Sequence, residues 1–187
     1  MMFCKVLNLI TATLAVKNLP GFPGVDAAPA HPSPPELSFL YTAFVHCRGT
    51  LMNEDGPRGT RRAIPIVGGN FTGPRLSGQI LDLGADWGTV DPKTKIFSAD
   101  TRYNLRTNDG ADIFVQTSGP MAPSGSLHLR MVFETGSREY YWLNNIVVIG
   151  RLTAVEYGND SSVLRIDAWN FARDWRRTRW TGTGDDD

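Results

Sequence analysis

RRAIPIVGGNFTGPRLSGQILDLGADW, residues 61–87, decides the fold. Short apolar runs are cut by Gly68-Gly69 and by Gly73-Pro74. Glycine inside a strand pattern marks a bulge or a sharp bend, as at the corners of a small barrel. A second run, DTRYNLRTNDGADI at 100–113, repeats the pattern around Asn108-Asp109-Gly110. An Asp-Gly pair accepts the positive φ angles of a tight hairpin turn, so a hairpin is predicted there.

Outward from these runs, strand signals recur with turn punctuation and little helical period. Residues 37–47 read as a strongly apolar first strand and 52–59 (MNEDGPRG) as a polar loop. Strands follow at 63–67 and 75–83, then at 86–90 and 95–107 around the Asp91-Pro92-Lys93 turn. Residues 111–117 and 127–134 flank a Gly/Pro/Ser loop, and 140–144 form a short turn or helical cap. Strands at 145–153, 154–157 and 162–171 complete the set. The expectation is an all-β fold, a single antiparallel β-barrel of about ten strands, since closure removes exposed edges. A two-sheet sandwich is the alternative.

The chain of 187 residues is one domain by length, with the barrel at 37–172, a Pro-rich lead-in at 31–36 and a C-terminal tail at 173–187. Its 19 basic and 19 acidic residues balance, which argues against nucleic acid as the main partner. No stretch reaches the roughly 20 apolar residues of a membrane span. Residues 1–30 read as a secretory signal peptide: Lys5, an apolar run at 6–16, then small residues near Ala27–Ala30. The competing reading is an amphipathic helix packed on the domain. The sequons Asn70-Phe71-Thr72 and Asn159-Asp160-Ser161 agree with a secreted glycoprotein. Cleavage would remove Cys4 and leave Cys47 as a lone, buried thiol. The Trp- and Arg-rich tail could touch RNA or membrane, but a solvated or barrel-packed C-terminus is the favoured reading.

Strand alternation sorts the polar residues. Ser98, Asp100, Arg102, Asn104 and Arg106 share one face, and His128, Arg130 and Glu134 share another. Outward is the default for a soluble barrel, and inward would mean a wet, ligand-sized interior. Asp86 beside Trp87 is the first candidate for a pocket acid, because a carboxyl against an indole loses hydration and gains pKa. A turn-capping carboxylate with a packing Trp is the competing reading. Arg102 and Tyr103 are candidates for orienting a carbonyl, enol or phenolate, with a rim ion pair as the alternative for Arg102. His128 is the third catalytic candidate. Tyr141 and Trp142, with Trp87 and Tyr103, are the substrate-binding candidates, aromatic rings suited to a barrel mouth. No metal-ligand spacing, phosphate loop, dinucleotide fingerprint or hydrolase elbow is present, so no metal and no cofactor are expected.

The ordered series Ile64-Pro65-Ile66, Gly68-Gly69, Phe71-Thr72-Gly73-Pro74, Gly78, Gly84-Ala85-Asp86-Trp87 and Asp100 to Thr107 resembles the family called domain of unknown function 3237, or uncharacterised protein family 0311. Asp109-Gly110-Ala111, Phe133-Glu134-Thr135 and Tyr141-Trp142-Leu143-Asn144 extend the resemblance, which spans residues 37–167. It implies a lipocalin-like barrel found in bacteria and fungi, with some fungal relatives resembling natural-product pathway enzymes. The secretory N-terminus, the sequons and the Trp-rich tail depart from the pattern. The expected function is therefore a cofactor-independent cyclase or isomerase, of Diels–Alder or hetero-Diels–Alder type, acting on a hydrophobic oxygenated natural product. A non-catalytic carrier is the alternative, and a structural protein with a plugged interior is the third reading.

Overall fold

Eight strands close on themselves. In a computed structural model, which describes residues 31, 33–158 and 160–171, ten strands follow in chain order. They are β1 (Leu37–Arg48), β2 (Met52–Gly56), β3 (Gly59–Thr72), β4 (Ser77–Asp86), β5 (Thr89–Val90) and β6 (Phe97–Thr107), then β7 (Asp112–Pro120), β8 (Leu127–Glu134), β9 (Val148–Tyr157) and β10 (Ser161–Phe171). A 3₁₀ turn, Tyr141–Asn145, separates β8 from β9. All strands lie in the second of two units into which the chain divides at Pro34–Pro35. The signal peptide expected at 1–30, the tail at 173–187 and the sequon residue Asn159 fall outside the described residues.

The wall runs β1-β10-β9-β8-β7-β6-β4-β3, and β3 pairs back onto β1 from Thr42↔Thr72 to Cys47↔Ile66. Every pairing is antiparallel. The strands β2 and β5 stand outside this closure, β2 on β3 and β5 bridging β3 and β6. The all-β barrel reading therefore holds, with eight of the ten strands in the wall.

Closure depends on Gly69. It adopts φ +136°, and a Cβ there would lie 2.0 Å from the Phe44 carbonyl oxygen across the β1–β3 seam. No L side chain fits that approach without displacing backbone. The Gly68-Gly69 pair thus bends one continuous strand, where the sequence pattern predicts a break between two. The 52–59 segment is also corrected: it forms β2 and a tight connection, paired from Met52↔Ala63 to Gly56↔Gly59. Every residue of β2 is exposed, so it carries none of the apolar alternation that reveals a strand. At the Asn108-Asp109-Gly110 hairpin only Gly110 takes a positive φ, +92°. Thr107 N–H donates to Ala111 O at 2.9 Å and Gly110 N–H to Thr107 O at 3.0 Å, a three-residue loop.

The two ends of the barrel differ. One end, formed by the β3–β4, β6–β7 and β8–β9 connections, is packed shut. Tyr140 donates its hydroxyl to both Asp109 carboxyl oxygens at 3.1 Å, the Asn144 side chain bonds the Thr135 N–H and C=O, and Leu143 is buried. Just inside it, Tyr41 meets Phe71 and Phe133 edge-on, with centroids 5.7 and 6.1 Å away. Among the described residues no helix is long and apolar enough to cross a membrane.

Candidate active site

The other end of the barrel opens into a cavity of about 450 Å³, a volume typical of small-molecule sites. Loop and strand-end residues Arg48, Gly49, Met121, Gly125 and Tyr157 line its mouth, and Val45, Ile64, Ile66, Leu127, Leu164 and Ile166 supply apolar wall. Thr101, Thr117, Cys47, Arg62 and Asp86 add polar groups.

Asp86 reaches this interior through register. It stands opposite Ile64 on β3 and Thr101 on β6, both of which line the cavity. Between Ile80↔Leu105 and Gly84↔Tyr103, β4 carries two more residues than β6. An even excess leaves the facing of side chains unchanged, so Asp86 stays on the side of buried Ile80. Its carboxyl accepts the Asp100 N–H at 2.9 Å. Burial raises its pKa, and the charge of Asp100 adds to the rise. Hydrogen bonds from the Asp100 and Gly88 N–H groups and the Thr101 hydroxyl pull back without cancelling it. The group is therefore a carboxylic acid that holds its proton to higher pH than an ordinary aspartate.

Cys47 lines the same space. Burial first, and then the charge of Asp86, push its thiol up to about 11, against a lowering hydrogen bond with Ser162. A neutral thiol at physiological pH is a poor nucleophile, as the sequence leads one to expect. Tyr103 also lines the cavity and is buried. Its hydroxyl and that of Tyr41 find no hydrogen-bond partner among the described residues. The two phenols are neighbours: burial dominates both shifts, and a weak hydrogen-bond contact between them raises Tyr41 further and draws Tyr103 back, although the pair falls short of good hydrogen-bond geometry.

The other expected site residues are dispersed. Arg102 alternates with buried Thr101 and Tyr103 and so stands on the outer face, ion-paired to Asp100 at 3.0 Å. His128, exposed between buried Leu127 and Leu129, is likewise outside. Neither lines the cavity, a correction to both as catalytic candidates that follows from strand parity. Trp87 is 39% exposed and lies 6.0 Å from the Arg102 guanidinium carbon, so it does not back Asp86 from within. Tyr141 and Trp142 belong to the shut end, with the Arg75 guanidinium 3.6 Å over the Trp142 ring. They sit opposite the mouth they were expected to line. Asn70 is exposed on β3.

Arg62 and Arg48 also line the cavity, and neither is among the candidates that the sequence offers. Arg62 sits two positions before Ile64 and four before Ile66, both inward, so the alternation that mattered was present. Among the described residues no three His, Cys, Asp or Glu side chains converge as metal ligands would.

Residues 35–170 match a family described as protein of unknown function (DUF3237). The chain is similar to an uncharacterised UPF0311 protein of Rhodopseudomonas palustris, 32% identical over 132 residues, covering 62% of this chain and 86% of that protein. It is also similar to the hydroalkoxylation enzyme phnH of Penicillium herquei, 29% identical over 132 residues, covering 67% of this chain and 80% of that enzyme. Among solved structures, a β-barrel-like protein from Acinetobacter baumannii superposes with a TM-score of 0.63 at 34% identity, covering 76% of this chain and 99% of the other.

Proposed function

The chain belongs to the DUF3237 family, and from that footing we propose that it is a cofactor-independent cyclase or isomerase acting on a hydrophobic oxygenated small molecule. The observation that carries this reading is Asp86, a carboxyl at the wall of an apolar cavity whose pKa is raised by burial. Similarity to a hydroalkoxylation enzyme supports the same class of chemistry.

The reaction is written as an intramolecular addition. The Asp86 carboxyl gives its proton to one carbon of a double bond, and a hydroxyl oxygen of the same molecule bonds to the other carbon. The hydroxyl proton then returns to the Asp86 carboxylate. One O–H bond and one C=C π bond are lost, one C–H and one C–O bond are gained, and no oxidant or reductant is consumed. General acid catalysis of this kind contributes about 10²- to 10⁴-fold, and confinement of one conformer adds to it. A pericyclic closure of Diels–Alder or hetero-Diels–Alder type would use the same cavity by shape alone. The buried carboxyl favours proton transfer.

The test is incubation of the protein with extract of a source strain lacking the gene, in D₂O, followed by mass spectrometry. Proton-transfer closure yields multiple turnovers and a product carrying one carbon-bound deuterium, and Asp86→Asn abolishes it. Turnover without carbon-bound deuterium would establish the pericyclic route, while retention of one equivalent without turnover would establish a carrier. We also propose a secretory route, which the N-terminal sequence pattern and the exposed sequon residue Asn70 support. An unchanged electrophoretic mobility after endoglycosidase treatment would remove the glycan from that proposal.

A further inference from the structure

Three arginine-carboxylate pairs occur among the described residues, and neither Arg48 nor Arg62 belongs to one. Both line the cavity, where Asp86 is the one acidic residue among the described lining groups. Arg62 is held by Asn53, whose Oδ1 accepts from its Nε at 3.1 Å, and its guanidinium carbon lies 6.0 Å from the Phe97 ring. Those contacts orient the side chain and leave its charge without a carboxylate partner among the described residues. A guanidinium presents its remaining N–H groups as a planar fork suited to anionic oxygens.

We propose that the cavity takes an amphiphilic acid, its apolar body inside the barrel and an ionised oxygen (carboxylate, phenolate or enolate) held at the mouth by Arg62 with Arg48. This deepens, and rests on, the reading of the cavity as the substrate site. Asp86 ends β4 at this same end of the barrel. An ionised phenol or enol bound by Arg62 is thereby positioned to add to the double bond that Asp86 protonates. The Asp86 carboxylate left behind takes up from solvent the proton that the phenol or enol released on binding.

Two fluorescent probes with a common body test this: 8-anilinonaphthalene-1-sulfonate and the neutral N-phenyl-1-naphthylamine. The expected result is tighter binding of the sulfonate by about tenfold, the range of one charge-assisted contact, shrinking as salt is raised. Arg62→Gln should weaken the sulfonate about tenfold and leave the neutral probe unchanged. Arg62→Lys should restore part of the preference, and Arg48→Gln, a surface change safe for folding, should lower it to a smaller extent. Equal affinities for the two probes, or parallel loss of both in folded Arg62→Gln, would overturn the proposal. The probes do not react, so a charge preference without turnover sinks only the enzyme reading, and turnover without charge preference sinks only this one.

Discussion

Replacing Tyr103 by Phe should stabilise the protein. Its hydroxyl is buried and meets no hydrogen-bond partner among the described residues, and the same holds for Tyr41. A buried hydroxyl without a partner costs about 1–3 kcal/mol of lost hydration. Its removal forfeits the contacts of one oxygen atom and leaves a void smaller than a methyl group. The net expectation is a gain of about 1 kcal/mol, or roughly 2–4 °C in Tm for a chain of this size. Tyr41→Phe should act in the same direction. Urea unfolding of both single variants and the double variant gives the coupling directly, since neighbouring sites depart from additivity by about 0.5–3 kcal/mol. If the phenols bond each other in solution, each single variant strands its neighbour and loses stability, while the double variant recovers. That pattern would refute the reasoning. An alkaline titration adds a second check. Burial pushes the Tyr103 phenol up to about 12 from 10.0, so the native state holds its proton longer than the unfolded chain. Stability is then complete below pH 10 and lost as pH rises through about 12, at up to about 1.4 kcal/mol per pH unit for each phenol. Tyr103→Phe should flatten that decline.

Asp86→Asn should gain stability over the wild type as pH rises. The raised pKa means that folding binds protons in the window above 3.8, so the wild type loses stability there and the variant does not; melts at pH 3.5 and 7 that show no widening gap would contradict the burial of this carboxyl. Turnover should fall as pH climbs through the same raised pKa, and a pH-independent rate would remove Asp86 as the acid. Gly69→Ala should cost about 2–5 kcal/mol, since it combines a strained φ with a backbone clash at the closure seam. A urea midpoint within error of wild type would show that the seam can shift. Arg102→Ala and His128→Ala, both on the outer face, should keep turnover within about twofold of wild type, and a tenfold loss in either would return that residue to the site.

Much of the barrel was legible because its signals are local. Alternation in 127–134 placed β8 at Leu127–Glu134, and the Gly110 turn set the β6–β7 hairpin. What escaped was tertiary in origin. The β2 segment is a strand only because a long β3 extends past the wall and offers an edge, and its own residues face water on every side. The Gly68-Gly69 pair was recognised as a bend but not as continuity, since the partner that demands it, Phe44, lies 25 residues upstream in sequence.

The site divides along the same line, and parity explains how. Tyr103 and Arg102 are adjacent, so at most one of them faces the cavity, and burial selects Tyr103 with Thr101 and Leu105. The same rule sends Leu127 and Leu129 inward and leaves His128 outside. The alternation was therefore sufficient to exclude Arg102 and His128 once the apolar face was taken as the inner one. Asp86 is different, because the pairing of β4 with β6 is interrupted between Ile80 and Gly84, and its facing survives only because the excess there is an even two residues. Pairing with Thr101 and Ile64 fixes it, and those partners bring Arg62 to the same space, two residues before Ile64 on the inward side. A carboxyl whose pKa is raised by burial and a guanidinium with no carboxylate partner among the described residues stand at one end of an apolar cavity. Burial makes Asp86 a weaker counterion for that guanidinium than an ordinary carboxylate, and a ligand that carries a negative oxygen and a reactive double bond answers both groups.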